Sequence, residues 1–230
     1  MKFKKSFDYY FWASYRRKML DNLQEKYKYL YQGIVLDIGG RDRGKFKKPK
    51  NEVEKWIFAD IEKKHNPDMV LDVTDMKEIK SESIDVVNAI ELFEHVENPQ
   101  KGLKECYRVL KQDGIMILSA PFLYPIHADP YDFQRWTETK WQSELKKVGL
   151  KIQKIEVMGR FFTVLMEYQK FFIRSLPRKL GMFLKLASYP IMDLIIKLDR
   201  LELMRNNRAL RGFHGGYFIV CKRGNPKEKE

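Results

Sequence analysis

The sequence predicts an α/β fold, a Rossmann-like doubly wound and mostly parallel seven-stranded sheet with helices on both faces and a helical insert between strands six and seven. Three observations lead there. Short, nearly continuous apolar runs suit strands buried on both faces. Segments of helical period alternate with them. A glycine turn, Gly39-Gly40, directly follows the first run, as in sheets that bring backbone close to a ligand.

The elements follow in order. An amphipathic, basic stretch from Phe7 to Tyr31 precedes the first strand. The strand candidates are Ile34–Ile38, Lys55–Asp60, Met69–Val73, Ile84–Ile90 and Ile115–Ala120, then Lys151–Val157 and Gly216–Lys222. Asn98-Pro99 opens a helix running to about Leu110, with Gly114 as its stop. A second helix is expected from Thr137 to Val148, ended by Gly149. The stretch from Gly44 to Trp56 is short and contains Pro49, so the first crossover helix is expected to be brief or irregular. Arg160–Gly212 is too long for a hairpin connection and reads as two or three amphipathic helices broken at Pro177, Gly181 and Pro190.

The chain therefore reads as one domain. Residues 1–32 form an N-terminal helical segment, 33–159 a ligand-binding core, 160–212 a basic insert or lid, 213–223 the last strand and 224–230 a tail. At 230 residues and 44% hydrophobic content, it can bury a full core, and a disordered chain is excluded. Cys106 and Cys221 fit neither a disulfide framework nor a metal pattern, so a reducing cytoplasm and no metal site are expected. No signal peptide or membrane span is legible.

The net charge of +13 is concentrated. Residues 1–20 hold six Lys/Arg against one acid, and residues 160–212 hold eleven against four. Two basic, aromatic-rich segments suggest an anionic acceptor or an anionic membrane surface. For residues 1–20 alone, a solvated surface explains the charge as well.

Chemistry concentrates at the expected strand ends. Asp37 closes the first strand ahead of Gly39 and Gly40. Asp60 ends the second, where a carboxylate can accept from both hydroxyls of a ribose; it could equally cap a loop. Asp72 ends the third, where it could read an adenine edge or hold an Asx turn. After the fifth strand, Pro121–Thr137 gathers His127, Asp129, Asp132 and Arg135 with Tyr124, Tyr131 and Trp136. His127 could accept a hydroxyl proton with Asp129 or Asp132 orienting it, while Asp132 and Arg135 could simply pair and hold the loop.

Taken together, Ile34–Val157 resembles the class I S-adenosylmethionine-dependent methyltransferases of the type 11 kind. Glu91-Leu92-Phe93-Glu94-His95-Val96-Glu97-Asn98-Pro99 is similar to the segment after that family's fourth strand, and Glu105–Gly114 to the approach to its fifth. The resemblance implies S-adenosylmethionine as cofactor. It sets Asp37, Gly39 and Gly40 under the methionine part, Asp60 at the ribose and Ile61 beside the adenine. It further sets Asp72 and Val73 flanking the adenine, and Ala89, Ile90 and Glu91 near the sulfonium. Arg41 and Arg43 stand where the family often has glycine. The loop after the fifth strand also resembles one in relatives associated with surface glycan synthesis. The implied reaction is methyl transfer to a hydroxyl of a sugar, glycan or lipid-linked small molecule, by a cytoplasmic or membrane-peripheral enzyme. The alternatives are a nucleic-acid methyltransferase, which the charge permits, and a nicotinamide oxidoreductase, which lacks its G-x-G-x-x-G turn here.

Overall fold

The computed structural model describes residues 8–41, 44–127 and 131–224. Seven strands form one sheet in the order β3-β2-β1-β4-β5-β7-β6. They are β1 (Gly33–Ile38), β2 (Val53–Asp60), β3 (Met69–Val70), β4 (Ile84–Ile90), β5 (Leu110–Pro121), β6 (Leu150–Val157) and β7 (Gly216–Arg223). The first five pair in parallel, and β7 inserts antiparallel between β5 and β6. This is the Rossmann-like arrangement expected from the alternating pattern.

The helices are α1 (Tyr15–Lys26), α2 (Pro99–Val109), α3 (Glu138–Lys147), α4 (Phe161–Ser175), α5 (Arg178–Ile195) and the short α6 (Glu202–Asn206). On one face of the sheet, α2 and α3 bury Leu103, Cys106, Trp141 and Leu145 against Leu36, Val87, Ala89 and Leu118. On the other, Leu20, Tyr27 and Tyr31 cover Val35, Val86, Ile117 and Phe218. The N-terminal segment thus does the covering that a crossover helix between β1 and β2 would do. Among the described residues that connection contains no helix, in keeping with Pro49 and its short length.

Local signals act as expected at α3. The Thr137 side chain accepts from the Lys140 N–H as N-cap, and Gly149 follows the helix with φ +90°. Four boundaries differ from expectation. Helix α2 ends at Val109, close to the expected Leu110, but β5 starts at Leu110 and not at Ile115, because Leu110 is already extended and pairs with Ile84. Strand β3 keeps only Met69–Val70, since the Asp72 carboxylate turns the chain by accepting from the N–H and hydroxyl of Thr74. Gly181 does not break the insert; it lies in the first turn of α5, where a Cβ would come within 3.0 Å of the Ile173 carbonyl on α4. Pro190 does not break it either, because buried Tyr189 and Met192 on both sides pack the helix down, with Tyr189 stacked on Phe11. Pro177 does separate α4 from α5.

The insert is fastened to the N-terminal segment. Glu167 on α4 accepts from the backbone N–H groups of Tyr15 and Arg16, and Lys170 donates to the Ala13 carbonyl. Asp199, in the turn after α5, accepts from the Arg160, Phe162 and Thr163 N–H groups and so caps α4.

Candidate active site

Two cavities open at the carboxyl ends of the parallel strands. The strand-end cleft, about 490 Å³, lies between the turns after β1, β2, β3 and β4 and is lined by Gly39, Asp60, Ile61, Asp72, Val73 and Leu92, among others. The capped cavity, about 450 Å³, lies under α1 and α4 and is lined by residues such as Arg16, Asp37, Tyr124, His127, Phe171 and Arg174. Gly39, Arg41, Glu91 and His95 line both.

The β1 turn is built as the glycines suggested. Gly39 has φ +70° and donates its N–H to the Ala59 carbonyl. A Cβ on Gly40 would fall 1.9 Å from Asp37 Oδ1, so the backbone lies directly on that carboxylate. Asp37 is itself buried, accepting from Asn88 Nδ2 at 2.6 Å and Trp56 Nε1 at 2.9 Å with Lys48 nearby. Burial raises its pKa, and these donors partly offset that. It supports the turn from beneath, and both it and Gly40 line only the capped cavity.

The strand-end cleft sets a buried carboxylate beside apolar walls. Asp60 is buried at the tip of β2, and its two oxygens accept from the Glu62 N–H and His65 Nδ1 at 2.8 and 2.9 Å. A carboxylate has about four acceptor positions, so capacity remains for ribose hydroxyls. Ile38, Leu71 and Val73 supply apolar walls, with Ile61 exposed at the mouth. Asp72 lines the cleft while holding its Asx turn. Ala89, expected beside the sulfonium, lines neither cavity: strand alternation turns it into the core under α2. Ile90 faces the opposite way and lines the capped cavity.

Glu91 stands where the cavities meet. Its backbone is left-handed, φ 54°, a conformation that costs a non-glycine residue about 1–3 kcal/mol. Its carboxylate pairs with the Arg16 guanidinium and accepts from Ser119 Oγ at 2.8 Å. Burial works against its ionisation, but Arg16 and Arg17 outweigh burial and hold it below the usual carboxylate range. Arg16 also lies over the Tyr124 ring, 4.3 Å from its centre. The N-terminal charge is therefore not simply solvated: Arg16 is buried in the site.

The loop after β5 is laced to the segment after β4. Phe133 N–H donates to the Glu94 carbonyl, and the Gln134 side chain to those of Phe93 and Val96. This brings the His127 and His95 rings to 5.1 Å, edge to face. Asp132 contacts both Arg135 and His127. It forms a two-pronged pair with Arg135, accepts from the His127 N–H at 2.9 Å and lies 3.4 Å from His127 Nδ1. Burial lowers the pKa of His127, with the Pro125 carbonyl opposing. Asp129 lies outside the described residues.

Glu94 was not anticipated. It is 2% exposed, and neither carboxylate oxygen has a hydrogen-bond partner. Burial, then the charge of Glu91, pushes its carboxyl well above the usual range. The only sequence signal for it was the Glu-His pair within the segment after β4.

Comparison with known proteins agrees with this architecture. Residues 47–118 match the family described as "Methyltransferase domain". The fold matches a S-adenosylmethionine-dependent methyltransferase from Archaeoglobus fulgidus at TM-score 0.55 and 17% identity, over 95% of this chain and 99% of that one. It matches a sarcosine dimethylglycine methyltransferase, described as such without established function, from Galdieria sulphuraria at TM-score 0.55 and 16% identity, over 91% and 85%. It also matches the [4+2]-cyclase SpnF at TM-score 0.55 and 13% identity, over 89% and 80%. None of the curated proteins matches the sequence. Residues 47–118 are thus similar to a methyltransferase domain, and the whole described chain shares the fold of a S-adenosylmethionine-dependent methyltransferase.

Proposed function

We propose that the protein methylates a hydroxyl of a small polar acceptor bearing an anionic group, such as a sugar, a glycan unit or a lipid-linked molecule. The observation that carries this reading is the pair of unlike cavities sharing Gly39, Arg41, Glu91 and His95. The strand-end cleft suits the adenosine of S-adenosylmethionine. Bound there, the cofactor supplies a methyl group on a sulfonium that needs no further activation.

The capped cavity suits the acceptor. Arg16, Arg17, Arg41, Lys48 and Arg174 line it against Asp21, Asp37 and Glu91, so cationic side chains outnumber acids five to three. Tyr124 and Phe171 add aromatic surface of the kind that stacks on a sugar ring. Holding the acceptor oxygen in line is the main task, because positioning contributes most where the leaving group is already activated. His127 lines this cavity with Asp132 behind its ring, placed to take the acceptor proton. The insert acts as the lid, since α4 contributes Phe171 and Arg174 to the cavity wall.

The test is transfer of a labelled methyl group to a panel of phosphorylated sugars, glycans and lipid-linked sugars, alongside calorimetry with S-adenosylhomocysteine. His127→Ala should lower turnover about 10²–10⁴-fold while cofactor affinity stays within a few-fold. Wild-type turnover in that variant would remove the proton-handling role.

A membrane-peripheral location is favoured by one observation. Leu165, Tyr168 and Phe172 on α4, and Leu180, Phe183, Ile191 and Leu194 on α5, are exposed at helical spacing. Lys179 and Lys185 lie among them on α5. Among the described residues no helix is long and apolar enough to cross a membrane. Sedimentation with phosphatidylserine vesicles at low salt should retain the wild type and release a Phe183→Ser, Leu194→Ser variant. Wild type left in the supernatant would leave only the lid role.

A further inference from the structure

Glu94, His95 and His127 each bring a ligand-type atom within 4.8 Å of the other two. Two come from the turn after β4 and one from the loop after β5, which the hydrogen bonds of Phe133 and Gln134 lace together.

The Glu94 carboxylate lacks any hydrogen-bond partner in spite of full burial; His95 Nε2 lies 3.8 Å from its Oε1. A buried polar group left this way is costly. The nearby guanidinium groups are committed elsewhere, Arg16 to Glu91 and Arg135 to Asp132. The Glu94 carboxyl is left without a guanidinium partner.

Both imidazoles are held from behind. His95 Nδ1 meets the Tyr131 backbone carbonyl, and His127 Nδ1 lies 3.3 Å from the Pro125 carbonyl and 3.4 Å from Asp132 Oδ2. A carbonyl can only accept, so Nδ1 of each ring carries the proton and Nε2 keeps a lone pair. Oxygen acceptors behind the ring are the usual support of metal-ligating histidines.

We infer that Glu94, His95 and His127 bind one first-row divalent cation, leaving coordination positions open where the two cavities meet. Two imidazoles and one carboxylate suit Zn²⁺, Fe²⁺, Co²⁺ or Mn²⁺ better than Mg²⁺ or Ca²⁺, which favour all-oxygen sites. Metal–ligand bonds of about 2.0–2.2 Å place tetrahedral ligands roughly 3.4 Å apart, so groups now within 4.8 Å of one another need to close by at most about 1.4 Å. The cation gives the unpartnered Glu94 carboxyl a partner, releasing its proton on binding. Resting on the methyl-transfer reading above, an open position holds the acceptor oxygen and makes its hydroxyl more acidic, and His127 then acts as a ligand in place of a base. The absence of a cysteine-type metal pattern concealed this site, because its ligands are an adjacent Glu-His pair and a histidine 32 positions later.

The test uses full-length protein stripped with chelator and titrated calorimetrically with Zn²⁺ and Mn²⁺, with Co²⁺ followed by its visible absorption. One ion per chain is expected, with affinity at least tenfold weaker in Glu94→Gln and in His127→Ala. Circular dichroism of the variants should match the wild type. No binding by the wild type, or affinity unchanged in the double variant, would overturn the inference. S-adenosylhomocysteine is titrated in parallel. Cofactor binding without metal binding sinks the cation site alone, whereas metal binding without cofactor binding sinks the methyl-transfer reading and leaves the site standing.

Discussion

The two cavities lie against the same edge of the sheet but are assembled over different distances in sequence. The strand-end cleft is made by consecutive turns, and its polar contacts are local: Asp60 with Glu62 and His65, Asp72 with Thr74. The capped cavity is closed by pairings across much of the chain. Arg16 reaches Glu91 over 75 positions, and Glu167 reaches Tyr15 over 152. Turns after parallel strands can form a cofactor cleft wherever the sheet forms. A cap that joins the N-terminal segment to the insert depends on the whole chain, and on the function proposed above it is where the acceptor is chosen.

The contrast can be broken most directly at Arg16. Removing one partner of a buried ion pair leaves the other uncompensated and costs about 3–5 kcal/mol. Arg16→Met should lose about that much stability in urea unfolding, and adding Glu91→Gln should restore a large part of it. If Arg16→Met unfolds like the wild type, the cap is held by something other than this pair. Loss confined to acceptor turnover would show the pair to be functional and not structural.

Asp60 sharpens the other side. Hydrogen bonds to a charged group contribute about 1.5–3 kcal/mol, so Asp60→Ala should weaken S-adenosylhomocysteine binding roughly 10- to 150-fold by calorimetry. His65→Ala, which removes a local partner of Asp60 and of Arg41 but keeps the carboxylate, should weaken binding by far less. Equal losses in the two variants would mean that His65 itself meets the ligand.

This local and distant division also explains what could be read before the fold was known. Strand β4 begins and ends at the expected residues, Ile84 and Ile90, because an apolar run bounded by polar residues records burial on both faces. Thr137 and Gly149 declare the ends of α3 through backbone chemistry within three or four positions. Glycine and proline inside the insert misled for the converse reason: Gly181 lets α5 approach α4, and Tyr189 and Met192 hold the helix through Pro190. Glu94 and Arg16 were illegible as site residues, since an acid in a turn and a base on a helix gain meaning only from what is buried against them. Asp72 sits between these cases, because its Asx turn is local while its place in the cleft depends on the sheet.

A pH dependence at Lys170, a residue that lines neither cavity, probes how the cap is held. Its side chain is buried between the Tyr15 and Tyr189 rings, 4.4 and 4.6 Å from their centres, and donates to the Ala13 carbonyl. Desolvation, aided by Lys18 and Arg174, lowers its pKa from 10.5 to about 7, while Glu167 and Asp193 oppose. Between about pH 7 and 10.5 the unfolded chain therefore holds a proton that the folded chain has released. Stability should climb with pH through that window, by at most about 1.4 kcal/mol per unit. Lys18, lowered chiefly by burial, contributes in the same direction. Glu167, raised chiefly by burial, acts in the acid range, and Tyr15 and Tyr189, raised by burial, act above pH 10. Urea unfolding between pH 7 and 9, compared between wild type and Lys170→Met, separates this lysine from Lys18. Lys170→Met should flatten the slope while leaving S-adenosylhomocysteine affinity unchanged, because the residue lines neither cavity. A wild-type profile already flat over that range would mean that Lys170 stays charged in the fold, held by the two rings and the carbonyl, and that the cap tolerates a buried cation at neutral pH.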